Sequence, residues 1–253
     1  MIRVLHIVKS MDMGGLETFI MNIYRKIDRD KVQFDFLMHT DKECVFSKEI
    51  RSLGGNLFNV PERNRGVLNN KKALNSFFKE HPEYSIVHQH LNSLSYIEPL
   101  KAAKRNNVRV RIIHGHSTKE GGSKIHNLLH CWNKLFIKRY ITDYFACSDL
   151  SAKWLFSKKI YRSGAYQIIN NGIDTDLFGF KYEVRNRMRK ELNIVDKFVV
   201  GLVGRFSYPK NHEFLIDIFE SIHKKNNSSV LLLVGDGEMR SSIEYKLKEK
   251  GLE

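Results

Sequence analysis

The sequence predicts an α/β fold in which helices cover both faces of a mainly parallel sheet. Short runs of apolar and β-branched residues alternate along the chain with amphipathic runs of helical spacing, as in parallel α/β proteins. Apolar residues make up 42% of the 253 residues and charged residues 28%. This composition is sufficient for a core and is not that of a disordered chain.

Most of the predicted elements fall in the first 180 residues. The predicted strands cover residues 2–8, 32–38, 57–60, 86–88, 108–114, 144–147 and 167–169. The predicted helices cover residues 16–27, 72–80, 95–106 and 125–140. The first helix has one apolar side, which we expect to pack on the sheet: Leu16, Phe19, Ile20, Ile23 and Ile27. These elements predict a complete Rossmann-like domain over residues 1–180.

A second, shorter series of elements follows a charged stretch at residues 183–193. Its predicted strands are 198–203 and 230–234, and its predicted helices are 212–224 and 239–250. The expected apolar face of the first of these helices is formed by Phe214, Leu215, Ile218, Phe219 and Ile222. We therefore expect residues 196–253 to begin a second Rossmann-like domain. Since a sheet of two strands is poorly stable, the chain is expected either to have been cut or to dock on a partner.

The charge of the chain favours anionic partners. There are 42 Lys and Arg against 28 Asp and Glu, which gives a net charge of +14. Such a surface suits nucleic acid, anionic lipid or phosphorylated small molecules. We expect no nucleic acid, because no recognisable module interleaves basic and aromatic residues.

Cysteine usage and hydropathy predict a cytoplasmic location. Cys44, Cys131 and Cys147 form no CxxC pair, and their odd number argues against a disulfide framework. The apolar run at the N-terminus is too short for a signal peptide. No segment approaches the ~18–20 apolar residues of a transmembrane helix, so we expect any membrane contact to occur at the surface.

Gly14 and Gly15 lie between the first predicted strand and the first predicted helix. Glycines let a ligand approach the backbone, and free amides at a helix N-terminus favour an anion such as a diphosphate. Leu16 and Glu17 depart from the GxGxxG dinucleotide fingerprint. The pair therefore predicts either a phosphate contact or a plain tight turn.

Two His-x-His motifs, His88/His90 and His114/His116, follow neighbouring predicted strands, at the edge where open α/β sheets bind ligands. One of these histidines is a candidate for contact with a substrate hydroxyl or phosphate. A metal site is the alternative, because this spacing places two imidazoles on one side of a strand. No carboxylate or cysteine accompanies them at a recognisable spacing, so we expect no metal. We expect His88 and His114 to fill hydrogen bonds in loops.

Asp174 and Asp176 match the DxD pattern with which other transferases hold a metal-bound nucleotide. Short DxD matches are common by chance, and this one follows a predicted Asn-Gly turn at Asn171 and Gly172. We interpret it as structural.

Arg205 and Lys210 form the most informative candidate site. They lie five residues apart in a loop between a buried-type strand and a helix. Two cations beside a helix N-terminus are suited to clamp a diphosphate. Solvated basic residues in a loop are the alternative.

A further strand-to-helix turn contains Gly235 and Gly237. We expect the absence of side chains at these glycines to let a nucleotide lie close to the backbone.

Five short motifs, in their order along the chain, resemble glycosyltransferase family 4. The family comprises retaining enzymes of the two-Rossmann-domain (GT-B) architecture, which build bacterial capsular polysaccharides, exopolysaccharides and related glycolipids. The motifs extend along essentially the whole chain: Gly14-Gly15-Leu16-Glu17, Cys147-Ser148-Asp149, Asn171-Gly172-Ile173-Asp174 with Phe178, Gly204-Arg205-Phe206 with Lys210, and Val234-Gly235-Asp236-Gly237-Glu238 with Arg240.

The resemblance implies transfer of a sugar from a nucleotide-diphosphate donor, which we expect to be a UDP-sugar, with retention and in a cleft between two domains. Arg205 and Lys210 would bind the diphosphate and neutralise charge on the leaving group, so neither a metal nor a cofactor is expected. Gly15 would contact the phosphates. His116 would lie near the donor sugar.

On the acceptor side the resemblance places Glu17 and His90, and it implies a glycan or a lipid-linked acceptor. The predicted helix 125–140 combines apolar residues with Lys134 and Lys138, which suits the anionic inner face of the cell membrane. A core-facing helix with a solvated basic face is the equal alternative.

The chain departs from the family at its end. Family members have a further segment with two glutamates separated by seven residues, one for the donor sugar and one for the ribose, which this sequence does not reach. We therefore expect little transferase activity from this chain alone. The alternatives are a non-catalytic subunit whose partner supplies the missing half, and a nucleotide-sugar epimerase of the same architecture.

Overall fold

The computed structural model describes residues 1–118 and 123–252. The chain divides into two compact units, Met1–Thr175 and Asp176–Glu253, which we call unit 1 and unit 2. None of the helices in the described residues combines the length and the hydropathy that a membrane span requires.

The sheet of unit 1 is parallel throughout, as predicted, with the strand order β3-β2-β1-β4-β5-β6-β7. The order reverses between β1 and β4, and open α/β sheets form ligand crevices at such a switch point. The strands are β1 (Ile2–Val8), β2 (Val32–Met38), β3 (Leu57–Asn59), β4 (Ile86–Leu91), β5 (Val110–Gly115), β6 (Asp143–Ala146) and β7 (Gln167–Ile168).

Helices cover both faces of this sheet. Short 3₁₀ turns occur at Arg63–Arg65 and at Ile137–Arg139, and α8 (Thr175–Phe178) spans the boundary between the units. The remaining helices of unit 1 are α1 (Gly15–Lys26), α2 (Ser47–Ser52), α3 (Val67–Glu80), α4 (Glu98–Arg105), α5 (Lys124–Phe136), α6 (Asp149–Leu155) and α7 (Lys158–Ser163).

Alternation along the strands separates two cores in unit 1. Leu5 and Ile7 face the larger core, together with buried residues of α3, α4, α6 and α7. Val4 and Val8 face the smaller core, beneath α1. Side chains two residues apart on a strand share a face, so every second position of β1, β4 and β5 looks toward α1.

Unit 2 has two parallel strands, β8 (Phe198–Val203) and β9 (Ser229–Val234). Its core is small, and its fully buried centre consists of Phe206, Ile216 and Ile243. Its helices are α9 (Tyr182–Glu191), α10 (His212–His223) and α11 (Arg240–Glu249), with a 3₁₀ turn at Tyr208–Lys210.

Several sequence-based boundaries differ from the structure. The charged stretch expected to link the units is the helix α9, because strong helix formers override its lack of an apolar face. The predicted helix 95–106 begins only at Glu98, where Pro99 fits the first turn. On α10 the predicted apolar face is wrong at Phe214 and Ile218, which are 59% and 42% exposed.

Candidate functional site

A cavity of about 620 Å³ opens at the carboxyl ends of β1 and β4 in unit 1. Its lining includes four of the residues that sequence reasoning selected, Gly15, Glu17, His90 and His116. The sequence search did not identify His39, which also lines this cavity. The sheet therefore brings together the predicted unit 1 residues at its switch point, as the topology requires.

The turn at Gly14 and Gly15 starts α1 and shapes one wall of this cavity. A Cβ at Gly14 would overlap the Glu17 carboxylate, whereas no atom lies within 4 Å of the Cβ position at Gly15. Glycine at position 14 thus lets Glu17 fold back over the start of the helix, and Gly15 leaves the helix N-terminus open. Burial of the carboxyl group raises the pKa of Glu17, and the nearby charge of Asp12 adds to this effect.

Five histidines share the face of the sheet that looks toward α1. His6 lies opposite His88, and His90 lies opposite His114, in the strand registers. His116 follows β5, where its backbone N–H donates to Leu91 O over 3.1 Å. We call these five residues the histidine cluster.

Two hydrogen bonds join three members of the cluster into a chain. His6 Nδ1 lies 2.9 Å from His90 Nε2, and His90 Nδ1 lies 2.9 Å from His116 Nε2. Burial lowers the pKa of His116 to about 4 and the pKa of His6 to about 3. These imidazoles are therefore neutral near pH 7, and they act as hydrogen-bonding groups and not as cations.

The expectation for His88 and His114 was wrong. Both lie inside strands, not in loops, and they pack among aromatic rings such as Phe145. Both of these histidines have ring nitrogens without a hydrogen-bond partner among the described residues. Sequence reasoning also missed His6, although its even position in β1 places it on the same face as His88.

Arg205 and Lys210 lie in unit 2 in the loop that joins β8 to α10. Both side chains are exposed, and Arg205 Nη2 lies 2.9 Å from Glu238 Oε2. Between them Phe206 is buried and anchors the loop to the core. The arrangement therefore presents two cations on a fixed loop just before the N-terminus of α10.

Gly235 and Gly237 hold this loop in place. A Cβ at Gly235 would overlap the carbonyl oxygen of Gly204, and a Cβ at Gly237 would overlap that of Phe206. Phe206 N–H donates to Asp236 O over 2.9 Å. On the side where Cβ atoms would point, the loop backbone thus occupies the space that sequence reasoning assigned to a nucleotide. Nucleotide contact at these glycines stays a prediction.

The remaining family-type motifs of unit 1 have structural partners. Asp174 Oδ2 lies 2.9 Å from Lys26 Nζ, and Asn22 Nδ2 donates to Gly172 O over 3.3 Å, which ties this turn to α1. Asp149 accepts hydrogen bonds from the hydroxyl groups of Tyr161 and Tyr166, over 2.7 and 2.8 Å. The contacts of Asp174 and Gly172 favour the structural interpretation of the DxD match.

Helix α5 exposes apolar residues and buries polar ones. His130 and Asn133 face the protein, where Asn133 Nδ2 donates to Leu94 O over 2.6 Å. Of the two alternatives for this helix, the one in which its apolar stripe faces the core is therefore wrong. Its outer stripe consists of four residues that are 61–72% exposed: Ile125, Leu128, Trp132 and Leu135.

Comparisons with known proteins identify similar sequences. A sequence profile described as Glycosyltransferase Family 4 matches residues 13–177, and one described as Glycosyl transferases group 1 matches residues 184–253. The chain is 33% identical over 254 residues to the protein named glycosyltransferase EpsF of Bacillus subtilis (strain 168). It is 25% identical over 240 residues to the capsular polysaccharide biosynthesis glycosyltransferase CapH of Staphylococcus aureus.

These alignments cover 99% and 91% of this chain, but the chain spans only 66% of the length of EpsF and 61% of that of CapH. Among solved structures, Anabaena HepE in complex with UDP and glucose matches with a TM-score of 0.76 at 18% identity. That match covers 100% of this chain and 67% of HepE. At this identity the likeness shows the fold, which is of the GT-B type.

Proposed function

This chain belongs to glycosyltransferase family 4, and from that premise we propose that it serves in sugar transfer from a nucleotide-diphosphate donor. The acceptor would be a glycan or a lipid-linked glycan, and the process would be the synthesis of a bacterial cell-surface polysaccharide. The pair of exposed cations on a fixed loop, Arg205 and Lys210, carries the proposal. The names of EpsF and CapH, and the UDP bound to HepE, support the choice of this pathway and of UDP as the first nucleotide to test.

Arg205 and Lys210 would bind the diphosphate of the donor. Guanidinium and ammonium groups form charge-assisted hydrogen bonds with phosphate oxygens, and a helix N-terminus adds favourable partial charge. The same two cations would neutralise the charge that develops on the departing nucleotide, so the reaction would need no metal. Glu238 would release Arg205 easily, because an ion pair this exposed contributes little.

The unit 1 residues would contact sugar hydroxyls in the cavity and phosphate oxygens at the start of α1. His116 is neutral and would donate or accept a hydrogen bond at the donor sugar, while the amides at Gly15 would face its phosphates. Glu17 and His90 would lie on the acceptor side, where a carboxyl group with a raised pKa is a candidate for proton transfer with a hydroxyl. Transfer with retention is the outcome typical of the family.

Helix α5 would provide peripheral contact with an anionic membrane that carries a lipid-linked acceptor. Its exposed stripe includes Trp132, a residue type favoured at membrane interfaces, and Lys138 and Arg139 follow in the next turn. Basic residues beside exposed apolar ones suit the cytoplasmic leaflet, whose lipids are negatively charged.

Titration calorimetry tests the diphosphate clamp. UDP, GDP and ADP are titrated into the full chain with EDTA present, and then into the double variant Arg205→Ala/Lys210→Ala. We expect metal-independent binding of one nucleotide and a loss of at least roughly 100-fold in affinity in the double variant, since charge-assisted hydrogen bonds contribute roughly 1.5–3 kcal/mol each. Lys224→Ala/Lys225→Ala removes the same charge elsewhere in unit 2 and should leave the affinity unchanged. Equal binding by both double variants would refute the clamp.

Flotation with lipid vesicles tests the membrane contact. The chain should float with vesicles that contain anionic lipid and not with vesicles of neutral lipid alone. Trp132→Ser/Leu135→Ser should abolish flotation, and Val67→Ser/Leu68→Ser, which removes two exposed apolar residues of α3, should not. Flotation that survives the α5 substitutions would contradict this part of the proposal.

A further inference from the structure

The histidine cluster contains ring nitrogens that the described residues leave unsatisfied. His6 Nε2, His88 Nε2, His116 Nδ1 and both ring nitrogens of His114 are buried without a hydrogen-bond partner in that part of the chain. Buried polar atoms without a partner are rare, and such a group often marks a missing water or ion. One of these atoms, His88 Nε2, belongs to a ring that stacks on His90 at a centroid distance of 4.1 Å, and His90 Nε2 in turn lies 2.9 Å from His6 Nδ1.

Elsewhere in unit 1 a buried polar group is fully paired. The Asp35 carboxylate is completely buried, and it accepts hydrogen bonds from the Arg3 guanidinium, from Tyr84 Oη over 2.8 Å and from Asn56 N–H over 2.7 Å. The fold is therefore able to satisfy a buried charge. Among the described residues of unit 1, orphan side-chain atoms outside the cluster occur singly, at His39, Gln89, Tyr144 and Ser151, whereas the cluster contains five.

We propose that His6, His88 and His90 form a binding site for a transition-metal ion of the zinc type. Each residue offers one ring nitrogen, and the three nitrogens lie within 4.8 Å of one another. The site shares no residue with the diphosphate clamp, and His90 is the only one of its ligands that the proposed function also uses.

The strand register accounts for the site. His6 on β1 lies directly opposite His88 on β4, and His90 lies two residues further along the same face. The neighbouring strand β1 thus supplies the third imidazole that the His88/His90 motif lacks. The expectation of no metal depended on the absence of a carboxylate or cysteine nearby in sequence. His6, which lies opposite His88 in the strand register, supplies the third ligand instead.

The nitrogens of the site already converge. His6 Nδ1 and His90 Nε2 lie 2.9 Å apart, and His88 Nε2 has no partner among the described residues. Bonds of about 2.0–2.1 Å from a tetrahedral zinc ion to two imidazoles separate their nitrogens by about 3.3 Å. Separation by a few tenths of an ångström would therefore admit an ion between these two rings.

The chemistry of the donors selects the class of metal. Imidazole nitrogens suit zinc, copper, cobalt and nickel, and they do not suit calcium or magnesium, which prefer oxygen. A cavity of about 170 Å³ borders all three histidines and also His114, and the rest of its lining is apolar, with groups such as Phe34 and Ile20. It has room for a water molecule as the fourth ligand.

His90 has a hydrogen-bond partner for the ring nitrogen that would not bind the metal. With its Nε2 bound to a metal, His90 would carry its proton on Nδ1, which lies 2.9 Å from His116 Nε2. Ligand histidines commonly donate their other N–H in this manner. The alternative set of His90, His114 and His116 would leave His6 unligated.

Cobalt binding tests the site directly. The chelator-treated full chain is titrated with Co²⁺, the visible absorption of tetrahedral Co²⁺ is recorded, and the stoichiometry is measured by elemental analysis after equilibrium dialysis. We expect one Co²⁺ per chain, displaced by Zn²⁺. His6→Phe and His88→Leu should each abolish the tetrahedral absorption, and their apolar replacements suit the aromatic surroundings.

Two further variants make the result decisive. His39→Phe removes a largely buried histidine outside the cluster and should bind Co²⁺ as the parent chain does. His116→Phe should keep the absorption while the affinity for Co²⁺ falls by roughly 10–100-fold, as expected when the hydrogen-bond partner of a ligand histidine is removed. Tryptophan fluorescence verifies that each variant is folded. No Co²⁺ binding by the parent chain, or binding that survives His6→Phe and is abolished by His116→Phe, would overturn the proposal.

Discussion

Units 1 and 2 use the same local plan but place different chemistry on it. In each, a parallel strand leads through a glycine-containing segment into a helix, at Gly15 in unit 1 and at Arg205 in unit 2. The unit 1 turn faces a cavity lined by neutral imidazoles, whereas the unit 2 loop exposes permanent cations. In unit 1, burial lowers the pKa of the His90 and His116 imidazoles and keeps these side chains neutral. A parallel strand-turn-helix unit therefore does not by itself determine which ligand it suits.

Core substitutions should show the largest difference between the units. Phe36 of unit 1 is fully buried, and Phe36→Ala should lower the free energy of unfolding by about 3–5 kcal/mol. Phe214 of unit 2 is 59% exposed, and Phe214→Ala should change it by less than about 0.5 kcal/mol. Urea unfolding followed by circular dichroism measures the free energy of unfolding of each variant. Equal losses in the two variants would contradict the difference expected between the units.

Acid should act on the two units in different pH ranges. Burial lowers the pKa of the His39 imidazole in unit 1 to about 4. As the pH falls, the unfolded chain therefore binds a proton at this residue before the folded chain does. Its contribution is complete above pH 6.5 and falls by about 1.4 kcal/mol per pH unit as the pH drops toward 4. The Lys224 and Lys250 ammonium groups lower the pKa of Glu220 in unit 2 to about 2, so that contribution is lost only below the ordinary glutamate pKa.

Tryptophan fluorescence reports on unit 1 alone, because Trp132 and Trp154 are the only tryptophans of the chain and both belong to it. His39→Gln should therefore make the unfolding midpoint that fluorescence detects less sensitive to pH between 6.5 and 4. An unchanged pH dependence would contradict the assignment of His39.

Glycine-to-alanine substitutions should affect the loops of the two units differently. Gly235→Ala in unit 2 should cost about 1–3 kcal/mol, because its Cβ would overlap the Gly204 carbonyl oxygen and displace the loop that carries Arg205. It should therefore also weaken nucleotide binding. Gly172→Ala in unit 1 meets no atom within 4 Å and serves as the matched control. Urea unfolding and calorimetry check the pair, and full affinity in Gly235→Ala would contradict the role given to this glycine.

The smallest effect is expected at the Arg205–Glu238 ion pair. Both side chains are more than half exposed, so Glu238→Gln should leave the free energy of unfolding almost unchanged. Because the substitution frees Arg205, nucleotide affinity should stay level or rise. A fall in affinity, measured by calorimetry, would show that Glu238 positions the guanidinium group and does not compete for it.

Much of the fold could be predicted because alternation and helical spacing are local signals. The strands Ile2–Val8 and Val32–Met38 were predicted to the residue, whereas α9 was missed because it has no apolar face to identify it. The exposure of Trp132 and Leu135 also had no local signal, since an apolar stripe usually faces a core.

The candidate residues were predicted less completely, because some of their partners are far away along the sequence. Glu17, His90 and His116 share a cavity as the strand-end rule predicts. His6 was missed because its partners are far along the chain, and only the register of β1 with β4 brings it to His88. The packing role of Gly235 likewise depends on a loop that lies about 30 residues earlier in the sequence.

Hydrogen exchange with and without saturating UDP tests the central claim most directly. We expect UDP to slow amide exchange most strongly over residues 204–212, which carry Arg205, Lys210 and the start of α10. Arg205→Ala/Lys210→Ala should remove this protection. Unchanged exchange over residues 204–212 in the presence of UDP would contradict the claim that this loop binds the diphosphate of the donor.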